Sequence, residues 1–167
     1  TGEWRTRHDR STLSPRVIAM TADTKATATR LVPLREGMFV LPEDIDLPAR
    51  LLGSRCPNCH ESFFPRRVFC AACCGSNLEP IELSGSGEIE TFTIVHQQPP
   101  NALIAPPYAI VRVRLDGGPS VQTVVPANDL DGVTIGARAL LFIRRVKDDE
   151  AGNTVVSFMA QPVPSSR

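Results

Sequence analysis

The amino-acid sequence predicts a mostly β protein in which a short four-cysteine ribbon precedes a small five-stranded barrel. Two observations lead to this prediction. All five cysteines lie between residues 56 and 74. After them, short runs rich in β-branched residues alternate with Gly, Pro, Asn and Asp, which is the pattern of strands separated by turns. No helical period of apolar residues runs through that second part, so a helical bundle is not expected.

The overall composition is that of an ordinary globular protein, with 42% hydrophobic and 22% charged residues in a chain of 167. No run of roughly eighteen apolar residues is present, so no transmembrane helix is expected. The first residues also lack the pattern of a secretory signal. We therefore expect a cytoplasmic protein that has no membrane partner. The formal net charge of zero argues against non-specific binding of nucleic acid, which needs many basic groups.

The first 34 residues are predicted to be a flexible extension, because threonine and arginine are scattered there without a sustained apolar period. The excess of arginine over acidic residues is also a feature of transit peptides, but the pattern favours a poorly ordered segment. Met20 is a candidate natural start, which leaves the origin of residues 1–19 open.

Residues 35–52 are predicted to form a docking arm that leads into the ribbon. Its stretch REGMFVLPEDIDLPAR alternates apolar residues with acids and prolines. Because proline disfavours a helix both at its own position and at the residue before it, Pro33, Pro42 and Pro48 make a long helix improbable. We expect the arm to be partly helical at best.

The cysteines have the spacing of a metal site: Cys56-x2-Cys59, ten residues, then Cys70-x2-Cys73. Two residues between thiols let both sulfurs of one tight turn face the same point. Two such turns complete a tetrahedron about Zn²⁺, with Zn–S distances of about 2.3 Å. Four thiolates leave no open coordination position, so the predicted zinc site is structural. A structural zinc supplies on the order of 10 kcal/mol, which a ribbon of this length cannot obtain from apolar burial.

Three alternatives to zinc remain open from the sequence. A single iron accepts the same four thiolates. Two disulfides would need an oxidising compartment. Redox catalysis by one Cys-x2-Cys pair would leave the second pair without a role.

The fifth cysteine, Cys74, directly follows Cys73 and cannot reach the same ion in regular geometry. We interpret it as an inert residue at a turn position where glycine is commoner. His60 occupies the matching position after Cys59, and histidine tolerates the left-handed conformation better than most residues. With four thiols present, His60 is not expected to be a ligand.

Five strands are predicted after the ribbon, and they fit a small closed barrel for which the OB fold is the leading candidate. In YAIVRVRL, apolar residues fall on one face while Arg112 and Arg114 fall on the other. Phe92 and Phe142 are expected in the core. The predicted strands are Ile89 to Val95, Tyr108 to Leu115, Val121 to Val125, Ala139 to Val146 and Thr154 to Ala160. The predicted division of the chain is an extension at 1–34, the arm at 35–52, the ribbon at 53–80, the barrel at 81–163 and a tail at 164–167.

The order of these motifs resembles the thiolase-associated, rubredoxin-like zinc-ribbon/OB-fold family, an acyl-CoA-associated family formerly classed as a domain of unknown function. The resemblance covers about residues 35–163 and depends on the four-cysteine ribbon with FFPRR between its pairs, followed by SGSGEIETFTIVHQ, PPYAIVRVRLDGGPSVQTVV and VTIGARALLFIRR. The ribbon alone is common, whereas this combination is specific. The family usually has glycine where this chain has His60 and Cys74, which affects the turns rather than the ligands.

The resemblance implies a non-catalytic accessory subunit in a hetero-oligomer with a thiolase-superfamily enzyme, such as a thiolase, an acyltransferase or an aldolase. Members of the family bridge subunits or help to bind the coenzyme A part of the substrate, and the catalytic residues belong to the partner. On this basis we expect a coenzyme A thioester as a bound ligand in addition to zinc.

Three ribbon residues are candidate contacts to coenzyme A or to the partner. Arg66 and Arg67 carry guanidinium groups that match phosphate oxygens bidentately. Phe64 lies in a ribbon too small to bury both Phe63 and Phe64 by itself, so at least one ring is expected to pack on the barrel or on another chain. The alternatives are a solvated hairpin for the arginines and a seal between ribbon and barrel for the phenylalanines.

The connection VHQQPPNALIAPPY is unusually apolar for a loop, and Leu103 and Ile104 between its prolines suggest a lid or a contact surface. His96 at its start is either a polar residue at a strand end or a wall of a ligand channel. No catalytic set and no phosphate-binding glycine loop is recognised, since the glycines at 85 and 87 lead into a strand.

Two other functions are carried forward as alternatives. Zinc ribbons and OB barrels often bind nucleic acid, but such binding needs basic grooves with stacking aromatics. A self-sufficient enzyme would have to use Cys74 or His96, neither of which has an evident catalytic partner in the sequence.

Overall fold

Two β-sheets make up residues 30–163, the part of the chain that a computed structural model describes. The predictions for residues 1–29 and 164–167 lie outside these described residues. The strands are β1 Leu31–Pro33, β2 Arg50–Arg55, β3 Ser62–Phe63, β4 Glu79–Ser84, β5 Ser86–Val95, β6 Tyr108–Leu115, β7 Ser120–Val125, β8 Arg138–Asp148 and β9 Thr154–Pro162, and a 3₁₀ helix covers Ala127–Gly132. Within residues 30–163, no helix has the length and apolar character needed to cross a membrane.

The smaller sheet belongs to the ribbon and has the strand order β3-β2-β4. Strand β2 pairs antiparallel with β4 from Arg50 opposite Ser84 to Arg55 opposite Glu79. Its other edge carries the two-residue strand β3. The cysteine turns therefore project from a short three-stranded base.

The larger sheet has the strand order β1-β9-β8-β5-β6-β7. Each of the five predicted strands lies within one of its strands β5 to β9, which confirms the OB-like architecture. Strand β1 was not predicted: three residues of the predicted extension pair in parallel with Thr154–Val156 of β9. A three-residue strand is too short to give a readable alternation.

The barrel is not closed by backbone pairing, contrary to the closed barrel expected from the sequence. In the described residues β7 and β9 share no ladder. They approach closely enough for the Thr123 hydroxyl to donate to the Phe158 carbonyl at 2.8 Å. The side-chain hydrogen bond takes the place of a strand pair, and a seam is left between β7 and β9.

The core follows the period-two alternation of the strands. On β6, Val111 and Val113 are buried, while Arg112 and Arg114 lie on the opposite face as predicted. Phe142 was expected in the core but is only half-buried. Its neighbours on β8, Leu141 and Ile143, take the inward positions, so Phe142 faces outward, where the guanidinium of Arg144 lies 5.4 Å from its ring centre. Phe92 is half-buried against the core.

The arm lies along its own barrel and contains no helix. Backbone N–H groups of Asp46 and Ala49 donate to carbonyls of β8 at 2.7 and 2.8 Å. Strand β5 pairs with β8 only from Ser86 to Glu88, so the arm covers the next part of that β8 edge. Phe39 is buried in the core cluster. The arm thus fixes the ribbon close to the barrel.

The close approach of β5 and β6 can be tested at Gly87. A Cβ atom there would lie 2.2 Å from the Arg114 carbonyl oxygen, which is fixed in the sheet. We expect Gly87→Ala to lower the free energy of unfolding by about 3 kcal/mol or more. Gly117→Ala is the matched control, because its Cβ would meet only Leu83 at 3.6 Å. Denaturant unfolding measures both, and equal stability of the two variants would contradict this packing.

Candidate metal centre and the ribbon surface

The four predicted ligands come together at one point between the two cysteine turns. The Sγ atoms of Cys56, Cys59, Cys70 and Cys73 all lie within 4.8 Å of one another. Two separations between the turns are 3.6 Å from Cys56 to Cys73 and 3.4 Å from Cys59 to Cys70. A zinc ion bound to four sulfurs at about 2.3 Å needs sulfur separations of roughly 3.8 Å. The donor set therefore fits a tetrahedral zinc ion, and the cysteines are free of disulfides.

The two turns have the same backbone hydrogen bonds. The carbonyl of Cys56 accepts the N–H of His60 at 3.0 Å, and the carbonyl of Cys70 accepts the N–H of Cys74 at 3.0 Å. Each turn is closed by its first cysteine, whose N–H donates across the turn to Glu61 or Gly75 at 2.9 Å. This repeated geometry aims both sulfurs of each turn at the shared centre.

His60 and Cys74 occupy equivalent left-handed positions, with φ of 61° and 57°. Both residues are exposed. This confirms the interpretation that each takes a turn position where glycine is commoner. The conformation costs a non-glycine residue roughly 1–2 kcal/mol, which the closed turn has to offset.

The pKa values of the four cysteines differ, and a bound cation would favour ionisation of all four. The backbone N–H of Cys59 favours the Cys56 thiolate and lowers the pKa of Cys56 to about 7. The N–H of Glu61 has the same effect on Cys59, but the neighbouring sulfur of Cys70 and desolvation outweigh it and raise the pKa of Cys59 to about 12. Across the other turn, the pKa of Cys70 is lowered and that of Cys73 is raised. Adjacent thiolates oppose one another, and a divalent ion at the centre removes this conflict by stabilising all four.

The segment between the turns presents an exposed apolar surface. We call residues Arg66, Arg67, Val68 and Phe69 the ribbon tip. Val68 is 73% exposed and Phe69 is 65% exposed, although both are large and apolar. The tip is held from both sides, since the Arg67 N–H donates to the buried Ser54 hydroxyl at 3.0 Å and Phe69 forms a β-bridge with Ser76. The sequence did not identify Val68 and Phe69 as surface residues, because apolar residues before a cysteine ligand could equally well be buried in the ribbon core.

Phe64 turns away from the ribbon tip and seals the ribbon to the barrel. Its ring meets Phe158 of β9 edge-on, with ring centres 5.8 Å apart. Phe39 of the arm meets the same Phe158 edge-on at 6.1 Å. Arg67 remains exposed, with its guanidinium 5.5 Å from the Phe63 ring centre, and Arg66 is exposed beside it. The contact of these three predicted residues with coenzyme A stays a prediction.

Comparison with known proteins agrees with this geometry. The family model described as the rubredoxin-like zinc ribbon domain of ChsH2 matches residues 48–79, and the C-terminal OB-fold domain of ChsH2 matches residues 80–141. A DUF35 domain-containing scaffold protein of Pyrococcus furiosus is 30% identical over 118 residues, which cover 70% of this chain and 86% of the relative.

The chain belongs to the DUF35 family. A DUF35 domain-containing scaffold protein of Methanocaldococcus jannaschii is 33% identical over 100 residues, covering 59% of this chain and 71% of the relative. The solved structure of the Ltp2-ChsH2(DUF35) aldolase has the same fold, with a TM-score of 0.55 and 23% identity over 68% of this chain and 84% of that chain. The four-cysteine cluster and the zinc-ribbon match together support a structural zinc.

The ligand assignment is tested by comparing a predicted ligand, Cys59, with Cys74, which is not expected to bind the ion. Cys59→Ser removes one of the four donors, so we expect the purified, reduced chain to lose bound zinc and the ribbon to unfold. Cys74→Ser should keep one zinc per chain and the thermal stability of the wild type. Metal analysis by mass spectrometry measures both, and equal zinc loss in the two variants would show that the ligands are misassigned.

The left-handed turn gives a second prediction. Cys74→Gly relieves the backbone strain at φ 57°, so we expect full zinc content and an unfolding free energy raised by about 1 kcal/mol. Ala72→Gly in the same turn is the control, because glycine at an ordinary φ only adds unfolded-state entropy and should destabilise slightly. Thermal unfolding of the zinc-loaded chains decides the sign, and destabilisation by Cys74→Gly would contradict the interpretation.

Proposed function

We propose that this chain is a non-catalytic accessory subunit that docks a thiolase-superfamily enzyme and assists the binding of its acyl-CoA substrate. The observation that carries the proposal is the ribbon tip, where Val68 and Phe69 are exposed on a turn that the metal centre and two backbone contacts hold in place. A thiolase, an acyltransferase or an aldolase is the class of partner we infer.

Family membership supports the scaffold role. The archaeal relatives are themselves described as scaffold proteins. The structural neighbour is described as an aldolase that joins Ltp2 to the DUF35 protein ChsH2. By analogy, the present chain would be the DUF35 partner of an enzyme that handles acyl-CoA thioesters, in a reducing compartment such as the cytoplasm, where its thiols stay free to bind zinc.

The ionisable groups of the described residues favour a non-catalytic role. The four cysteines are the one group of three or more His, Cys, Asp or Glu side chains in residues 30–163 that could share an ion, and four thiolates leave no open position on zinc. A carboxyl group that acts as a general acid near neutral pH needs a raised pKa. Instead, hydrogen bonds from Ser120 and Arg138 lower the pKa values of Glu90 and Asp116, respectively.

The same ion pairs weigh against the nucleic-acid alternative. Five of the six basic residues between 81 and 163 are paired with acids: Arg112 and Arg114 with Glu90, Arg138 with Asp116, Arg144 with Asp46 and Arg145 with Asp148. Of the barrel aromatics, Tyr108 and Phe158 are buried and cannot serve as stacking platforms. A strand of nucleic acid would meet a largely neutralised surface.

The arginines of the ribbon tip differ from those of the barrel. Among the described residues, Arg66 and Arg67 form no ion pair. Their guanidinium groups are exposed beside an apolar surface, which suits the phosphates of coenzyme A bound at the edge of a protein interface. We infer that the tip provides apolar contact to the enzyme and the arginines provide phosphate contact to its substrate.

Docking is tested by co-expression with thiolase-superfamily enzymes of the same organism, followed by co-purification. We expect a stable complex with one of them. Val68→Ser combined with Phe69→Ser should weaken the complex at least tenfold, because two exposed apolar side chains at the centre of an interface carry much of its energy.

The matched control is Ile135→Ser, since Ile135 is 71% exposed, follows the 3₁₀ helix in the chain and lies outside the ribbon tip. This variant should bind like the wild type. Failure of the wild-type chain to form any such complex or to bind coenzyme A would refute the proposed function. Normal binding by the Val68/Phe69 variant would refute the docking surface.

A further inference from the structure

An apolar pocket lies at the seam where the barrel is not closed. It has a volume of about 190 Å³, and its apolar lining comes from the barrel, the loop before β6 and the residue after β1: Leu34, Leu103, Ile104, Val124, Val146, Phe158 and Met159. The pocket is separate from the metal centre and is not used by the ribbon tip. Neither the zinc ribbon nor the docking surface assigns a role to this pocket.

The open seam explains the position of the pocket. Between β7 and β9 the Thr123–Phe158 hydrogen bond is a side-chain contact rather than a ladder. Residues from both sides of this seam line the pocket, Val124 from β7 and Phe158 and Met159 from β9. Most of the lining side chains are apolar, as an aliphatic ligand requires.

The loop between β5 and β6 covers this seam. Leu103 and Ile104 line the pocket, and prolines at 99, 100, 106 and 107 stiffen the loop on both sides. Leu103 is nevertheless 45% exposed. The apolar character of this loop predicted a lid or a contact surface, and two of its apolar residues line this pocket.

The size of the pocket limits its occupant. An apolar cavity of about 150 Å³ lined by Leu, Ile and Phe binds benzene, a ligand of six carbons. The present pocket, at about 190 Å³, can hold the end of an aliphatic chain of similar size. A whole coenzyme A molecule is far too large for it.

Polar groups in the lining suit a ligand whose apolar end leads to a polar part. Gln122 and Ser157 line the pocket together with the apolar residues and can bond to amides or a thioester carbonyl.

We propose that this seam pocket binds the aliphatic end of the acyl group of an acyl-CoA thioester, with Leu103 and Ile104 closing over it. The inference rests on the proposed function, which names an acyl-CoA thioester as the ligand. It adds that the accessory subunit itself selects for acyl chain length. Binding is non-covalent, and no bond is made or broken in the pocket.

Calorimetric titration of the zinc-loaded full chain with coenzyme A, acetyl-CoA, hexanoyl-CoA and decanoyl-CoA tests the proposal. Each buried methylene improves affinity by about fourfold. We expect hexanoyl-CoA to bind at least tenfold tighter than acetyl-CoA, with little further gain for decanoyl-CoA once the pocket is full. Equal affinities of acetyl-CoA and hexanoyl-CoA would overturn the proposal.

Two variants and a control connect this effect to the pocket. Val124→Trp fills the pocket and should abolish the preference for hexanoyl-CoA, while Ile135→Trp, an exposed site outside it, should keep that preference. Leu103→Ser removes an apolar contact from a loop and should reduce the preference about fivefold without affecting folding. Persistence of the full preference in both pocket variants would overturn the proposal.

Co-purification of the same variants with the partner enzyme separates the two proposals. A complex that forms normally, combined with no chain-length preference in the wild type, refutes the acyl site and leaves the scaffold function standing. Absence of both the complex and acyl-CoA binding refutes the proposed function and the acyl site with it.

Discussion

The convergence of four sulfurs on one ion is the interaction on which the ribbon depends. Between Cys56 and Gly75 the chain has little regular secondary structure, namely the two-residue strand β3 and one bridge from Phe69 to Ser76. Backbone N–H groups prepare the sulfurs of Cys56 and Cys70 for ionisation, while the neighbouring sulfurs hold those of Cys59 and Cys73 back. Only a cation lets all four ionise together, and the free energy of metal binding then becomes free energy of folding for the ribbon.

A second constraint fixes the direction in which the ribbon points. Phe64 of the ribbon and Phe39 of the arm both meet Phe158 of the barrel edge-on. This aromatic group joins the three parts of the chain at one buried ring, so the ribbon tip faces outward from a rigid base. An exposed pair such as Val68 and Phe69 would be costly on a mobile loop, because docking would then have to order the loop as well. Held in this way, the tip is already arranged for a partner.

Much of this architecture could be predicted from the sequence, for identifiable physical reasons. The cysteine spacing predicted four ligands whose sulfurs the structure brings together, because two residues between thiols let both face one point. Period-two alternation located β5 to β9 to within a few residues. Features that depend on distant parts of the chain were not readable: the parallel strand β1, the open seam between β7 and β9, and the packing of the arm on β8. Phe142 was wrongly expected in the core, because Leu141, Phe142 and Ile143 are three consecutive apolar residues. The sequence alone does not show which of them face inward on β8.

Hydrogen–deuterium exchange of the reduced, zinc-loaded full chain, before and after removal of the metal by a chelator, tests the central claim most directly. If the metal holds the ribbon, the amides of His60 and Cys74, which bond to the cysteine carbonyls, lose their protection when zinc is removed. The amides in the middle of β6 and β8 keep theirs, because the barrel core does not depend on the ion. Unchanged exchange between residues 56 and 75 in chain shown to be free of metal would contradict the account.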